Sequence, residues 1–234
     1  MSRRRPHSRH ERFAALERLL AAPADTSSWG QTITALAWWP AEHDLADAVA
    51  RVEAIAERWH WSQRRLTRAC ARELEAGRVG PHLRLLRDLD LNPLWRVRDR
   101  AGLLRAMIER GGLRQLCRFT LRYADGPRIV DALVDGPVVG LRDLSLGACG
   151  ITPEAAERLA ATPALAGLRR LSLHSNRIAD AGALALVASP HLRGLEYLNL
   201  YSNRISTDAL RALVDAPQWA GAQKILHAQH LHGW

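Results

Sequence analysis

Leu168-Arg-Arg-Leu171-Ser-Leu173-His-Ser-Asn176-Arg-Ile178 decides how this chain is read. Leu171 and Leu173 alternate with polar residues, the two-residue period of a strand with one buried face. The same spacing recurs 27 residues upstream as Leu141-Arg-Asp-Leu144-Ser-Leu146-Gly-Ala-Cys149-Gly-Ile151. It recurs again 27 residues downstream as Leu195-Glu-Tyr-Leu198-Asn-Leu200-Tyr-Ser-Asn203-Arg-Ile205. Each segment leads into a helix-forming stretch. Thr152-Pro153 opens the first as a cap followed by proline at the first helical position. The second runs over 180–187 and stops at Ser189-Pro190, and the third runs over 207–215 and stops at Pro217. A strand and a helix repeated at fixed period predict a solenoid in which each unit buries its apolar side against the next.

The pattern LxxLxLxxN/CxI in these three segments resembles the leucine-rich repeat family. The period of 27 and a full helix per unit resemble its ribonuclease-inhibitor-like subtype. The resemblance implies an α/β fold, a short right-handed solenoid with parallel strands on the concave face and helices on the convex face. It also implies that Cys149, Asn176 and Asn203 hydrogen-bond the backbone of their own turn and of neighbouring coils.

The pattern frays on both sides. Leu116-Cys-Arg-Phe119-Thr-Leu121, followed by a helix from Gly126 to about Asp135, reads as a degenerate coil. Lys224-Ile225-Leu226 falls where a further strand is due and reads as a cap strand, with His227 at a position held by leucine elsewhere. The array is therefore expected to occupy 113–234.

Residues 10–112 read as an all-α domain behind a disordered basic tail at 1–9. Helices are expected at 10–22, 28–39, 44–59, 62–76, 81–90 and 99–110, from apolar stripes at 3.6-residue spacing and from stops at Pro40, Gly77 and Gly111-Gly112. Six of the eight tryptophans lie here, at 29, 38, 39, 59, 61 and 95. Most sit on apolar stripes, as core residues do; Trp38 and Trp61 sit off them. Leu19-Leu-Ala-Ala-Pro23, Trp29 and Trp38-Trp39-Pro40 resemble the helical domain that precedes the repeats in leucine-rich repeat proteins of myxobacteria and planctomycetes. That resemblance implies no activity.

Composition limits the function classes. The chain has 234 residues, 47% of them hydrophobic, and a formal charge of +9 carried almost wholly by arginine. An arginine-, alanine- and leucine-rich composition fits a high-GC bacterial genome, so the charge alone says little about a partner. No run of about 18 apolar residues is present, and no signal core follows the basic start, so no membrane association and a cytoplasmic location are expected. Cys70, Cys117 and Cys149 form no CxxC pair and read as buried free thiols. No GxSxG, HExxH, Walker or GxGxxG motif occurs, so neither an enzyme nor a small-molecule substrate, metal or cofactor is expected. His227, His230 and His232 lack the cysteines or clustered acids of a metal site.

Two binding readings follow. In the first, a protein partner docks on the outward strand positions of the array, with a subunit role in a larger assembly as one setting. These are Arg118, Thr120 and Arg122; Asp143, Ser145 and Gly147; Arg170, Ser172 and His174; Tyr197, Asn199 and Tyr201; then Lys224 and Leu226. Tyr197, Tyr201, Arg170 and His174 make the expected hot spot, because tyrosine and arginine dominate interface energetics. So small a sheet suits an interface of about 600–800 Å² per partner. In the second, nucleic acid contacts the tail arginines Arg3, Arg4 and Arg5 and a helical ridge of Arg64, Arg65, Arg68 and Arg72.

Overall fold

In the computed structural model, the residues described are 8–40, 42–110 and 112–226, with the side chains of residues 42 and 43 left out. Four helices come first: α1 (Arg9–Leu20), α2 (Thr26–Ala37), α3 (Glu42–Ala54) and α4 (Arg68–Glu75). Strand β1 (Asp88–Asp90) and helix α5 (Arg100–Glu109) follow. The chain then alternates strand and helix: β2 (Arg118–Arg122), α6 (Gly126–Val134), β3 (Asp143–Gly147), α7 (Pro153–Ala160), β4 (Arg170–Ser172), α8 (Ala179–Ala188), β5 (Tyr197–Asn199), α9 (Thr207–Asp215) and β6 (Gln223–Ile225).

The sequence places most starts. Ser8 and Glu11 form a capping box on α1, as Asp25 and Ser28 do on α2. Thr152 caps α7 with Pro153 at its first position, and Ser206 caps α9. Three expectations in the first hundred residues fail. The helix over 44–59 ends at Ala54, and residues 56–58 form a 3₁₀ turn. The helix over 62–76 begins only at Arg68, where the Thr67 hydroxyl accepts the Cys70 amide; residues 61–63 form a separate 3₁₀ turn. The helix expected over 81–90 is a 3₁₀ turn at Pro81–Leu85 followed by β1, so a strand lies in the stretch read as all-α.

All six strands are parallel and lie in sequence order, β1-β2-β3-β4-β5-β6, each step crossing back through a helix. Asp88 pairs with Arg118, Arg118 with Asp143, Asp143 with Arg170, Arg170 with Tyr197, and Tyr197 with Gln223. The 27-residue period therefore holds from β3 to β5 and breaks elsewhere. The last step is one residue short, which sets Lys224 rather than Ile225 beside Leu198. Lys224 thus takes an inward register position and Leu226 is buried, correcting their expected place on the open face. The Lys224 Nζ donates to the Val214 carbonyl at 2.8 Å, so its charge ends at the edge of the last coil. His227, His230 and His232 lie outside the described residues.

One apolar core runs from Leu16 through the inward leucines of every coil to Leu226. Under the first helices it is built on Trp29 and Trp59, which meet edge to face with centroids 5.7 Å apart. Both indole N–H groups are satisfied, by the Arg65 carbonyl at 3.1 Å and the Ser28 hydroxyl at 2.9 Å. Trp38 and Trp95 instead reach solvent. The three thiols are free, and Cys117 is half-buried rather than buried.

Every coil from β2 to β5 turns out of its strand through a left-handed residue: Tyr123, Ala148, Ser175 and Ser202, with φ of 54°, 52°, 57° and 56°. None is glycine, and a side chain there costs about 1–2 kcal/mol per residue. Ala148→Gly relieves that strain and gives back part of it as unfolded-chain entropy. The expected result is a gain of about 0.5 kcal/mol, read as a rise of about 1–2 °C in Tm by calorimetry.

Candidate binding face

The leucines of each strand point inward, which leaves three rows of side chains on the other face of the sheet. The first row alternates in charge. Arg65 bridges to Asp88 ahead of β1, and the row continues as Asp88, Arg118, Asp143, Arg170 and Tyr197. Arg65 Nε lies 3.1 Å from the Asp88 carboxylate and Arg118 Nη1 3.5 Å from it. Arg118 Nε meets Asp143 at 3.1 Å, and Arg170 Nε stands 3.7 Å from Asp143 while its guanidinium lies 4.3 Å over the Tyr197 ring. Burial pushes the Asp88 carboxyl up, outweighing the two arginines beside it.

The second row is small and polar: Asp90, Thr120, Ser145, Ser172 and Asn199, ending at Ile225. The third is Arg122, Gly147, His174 and Tyr201. Pairing continues past the assigned strands, because Ala148 N donates to the His174 carbonyl at 2.9 Å and Ser175 N to the Tyr201 carbonyl at 2.7 Å. The imidazole covers Gly147, where a Cβ would stand only 2.2 Å from Nε2. Burial and the nearby Arg122 both lower the His174 pKa. Asp143 and His174, close enough in sequence alignment to be considered together, serve different rows: Asp143 holds Arg118 and Arg170, and His174 turns its Nδ1 to Ser175 Oγ at 3.3 Å.

The structure thus brings the expected protein-contacting residues onto one face but divides them by occupation. Arg118, Asp143, Arg170 and Tyr197 contact one another along the first row. Ser172, His174, Arg122 and Tyr201 lie beside a small-residue floor. At the β1 end, a cleft of about 350 Å³ opens between α4 and the sheet, lined by Arg65, Thr67, Arg68, Asp88, Asp90 and Arg118 among others.

The arginine ridge is not assembled. Arg64 is 2% exposed, because the chain has not yet entered α4 there. Its Nε donates to the Leu85 carbonyl at 2.9 Å and its guanidinium lies 5.7 Å from the Trp29 ring centroid. Burial, then the neighbouring Arg87, bring its pKa down to about 10. Arg65 belongs to the charge row, which leaves Arg68 and Arg72 as the exposed pair on α4. Arg3, Arg4 and Arg5 lie outside the described residues. Arg64→Ala would orphan the Leu85 carbonyl and open a gap under Trp29, so urea unfolding should show a loss of about 2 kcal/mol. Arg68→Ala should stay within about 0.5 kcal/mol of the parent.

Sequence reading missed Asp88 and Asp90. The available signal was Leu89 and Leu91 at strand spacing around them. Trp95 and Tyr123 were also missed as surface features; they are the two most exposed large apolar side chains among the described residues, at 70% and 75%.

The turn geometry completes the pattern quoted at the outset. Asn176 is buried, its Oδ1 accepting from Cys149 N at 2.9 Å and Ile151 N at 3.0 Å. Its Nδ2 donates to the carbonyls of Leu146, Leu173 and His174. Asn203 Nδ2 makes the same kind of bonds to Leu173, Leu200 and Tyr201, and the Cys149 thiol to Leu121 and Gly147. The leucine-rich repeat family model matches residues 168–187, the coil built on Asn176, so that stretch is similar to the family's repeat. Among curated proteins none matches the sequence. A solved structure of a Bacteroides fragilis protein is similar at 12% identity, covering 94% of this chain and 72% of that one with a TM-score of 0.33, too distant to argue from. Among the described residues no helix is long and apolar enough to cross a membrane, and no group of three or more His, Cys, Asp or Glu could hold a metal ion.

Proposed function

We propose that this protein is an interaction module that binds a protein partner across the open face of its sheet. Leucine-rich repeat proteins in general bind other proteins through their arrays, and the solenoid presents a continuous face for the purpose. The observation that carries the reading is the division of that face. A self-paired charge row stands on one side, His174 and Tyr201 stand on the other, and Ser145, Ser172 and Asn199 leave a low floor between them. A rigid, prepaired row costs little entropy on docking, and the aromatic and imidazole side supplies the contact area. Tyr197 and Arg170 act as a stacked pair within this surface.

Ser172→Arg tests the proposal, because it fills the floor without touching the core. Affinity capture with the parent chain should retain at least one polypeptide that Ser172→Arg and a Tyr197→Ala/Tyr201→Ala variant both lose. Identical sets retained by all three proteins would end this assignment of the face.

A further inference from the structure

The edge of the sheet where the strands end carries a second, chemically different surface. Arg96 and Arg98 lie on the loop after β1, Arg122 at the end of β2, and Arg177 and Arg204 on the turns after β4 and β5. None of these five forms an ion pair among the described residues, although acidic partners hold Arg128, Arg158 and Arg118 close by. Their charge is left to the solvent side. Arg98 and Tyr123 line one cleft, together with Arg100, whose guanidinium donates to the Tyr123 carbonyl. Arg177 and Arg204 line a second cleft of about 360 Å³ with Ser175 and Ser202, one coil apart.

Aromatic faces stand among these charges. Trp95 and Tyr123 are the most exposed large apolar side chains described, and both belong to this edge. The Arg96 guanidinium lies 5.0 Å from the Trp95 centroid. Exposed rings cost free energy in water, and unpaired cations at one edge repel one another. A ligand that stacks on rings and carries a negative charge at regular intervals relieves both. A run of Asp and Glu supplies the charge but no aromatic ring for Trp95 and Tyr123. Single-stranded nucleic acid supplies both, a phosphate and a base in every unit.

We infer that this edge is a binding site for single-stranded nucleic acid, with bases stacked on Trp95 and Tyr123 and phosphates on Arg98, Arg122, Arg177 and Arg204. Adjacent strands are about 4.8 Å apart, so the edge from β1 to β5 spans about 19 Å and holds on the order of four nucleotides. The site is not the tail and ridge expected from sequence. It does not depend on the open-face reading and can stand or fall without it.

The test is fluorescence anisotropy of a labelled oligothymidylate of about 12 nucleotides against the full chain. Four phosphate contacts predict a log–log salt slope near −3, or about a 50-fold loss of affinity between about 50 and 200 mM salt. Trp95→Ala/Tyr123→Ala should weaken binding at least about tenfold. Arg177→Ala/Arg204→Ala should make the slope shallower by about 1.4. Arg114→Ala/Arg193→Ala, two exposed arginines on the opposite edge, should change affinity less than about twofold. All substitutions are on the surface, and unchanged Tm values show that each variant is folded. The inference is overturned by no binding at low salt, by equal losses at both edges, or by full affinity in the aromatic variant. Tighter binding of a poly-glutamate of equal length also overturns it.

Discussion

Asn176→Ala is expected to lower the unfolding free energy by about 4 kcal/mol, the largest effect of any single polar substitution in the array. The side chain accepts two amides of the preceding coil and donates to three carbonyls, one of them in that coil. The Leu173 and His174 carbonyls keep Asn203 Nδ2 and Ala148 N as donors, but the buried Cys149 and Ile151 amides and the Leu146 carbonyl lose their partner, and each orphaned group costs about 1–3 kcal/mol. Asn176→Asp should be no better. Its oxygens still accept from Cys149 and Ile151, but an ionised carboxylate faces the three carbonyls with no proton to offer. Urea titration should show a lower midpoint, and a changed m-value would mean that the coils around β4 unfold separately from the rest. Ser172→Ala, on the open face four residues earlier, should remain within about 0.5 kcal/mol. A loss below about 1 kcal/mol for Asn176→Ala would show that the turn is held by the leucines alone.

Between pH 6.5 and about 4 the protein should lose about 3 kcal/mol of stability through one residue, His82. The imidazole is 3% exposed, in the 3₁₀ turn ahead of β1, and neither ring nitrogen has a hydrogen-bond partner among the described residues. Burial lowers its pKa to about 4, against a partial pull upward from Glu73, which is itself bound to Arg78. The unfolded chain takes up the proton near pH 6.5 and the folded chain does not until about pH 4. Stability is therefore complete above pH 6.5 and falls through that window as the unfolded state binds the proton. Glu73 and Asp99 have lowered pKa values and weaken the fold at more acid pH, while His174, also lowered, acts in the same direction as His82 within the window. His82→Leu should flatten the stability profile between pH 6.5 and 4 in urea titrations. An unflattened profile would place the acid sensitivity elsewhere.

What could be read from the sequence follows from how each element is specified. The coils from β3 to β5 were legible because two inward leucines, a turn asparagine or cysteine and a capped helix repeat at constant spacing. The α7 and α9 helices fall within a residue of expectation because Thr152-Pro153 and Ser206-Thr207 are local signals. β1 was hidden because Asp88-Leu-Asp90 is three residues long and two-thirds acidic; the parallel neighbour Arg118-Phe-Thr120 makes it a strand. β6 was misplaced by one residue because the chain is one residue shorter between the Pro217–Trp219 turn and the strand than between the equivalent Pro163–Leu165 turn and β4. Alternation alone placed the outward strand positions from β2 to β5, but not those of β6, where Lys224 and Leu226 face inward. Their pairing was not legible, since the partner of Arg118 depends on register with two strands, one of them unseen. Arg64 failed as a surface residue for a similar reason: charge suggests exposure, but with the helix beginning six residues late its guanidinium lies against Trp29.

The alternating row also sets a rule of parity for how such an array can lengthen. A coil copied in place from residues 141–167 would set a second aspartate beside Asp143, and a copy of 168–194 would set an arginine beside Arg170. Like charges directly opposite across strands repel. The two units copied together, residues 141–194, keep the signs in order. Beyond Arg170 the constraint ends, because Tyr197 carries no charge. The charged half of the array can grow only by twos, and the aromatic half one coil at a time.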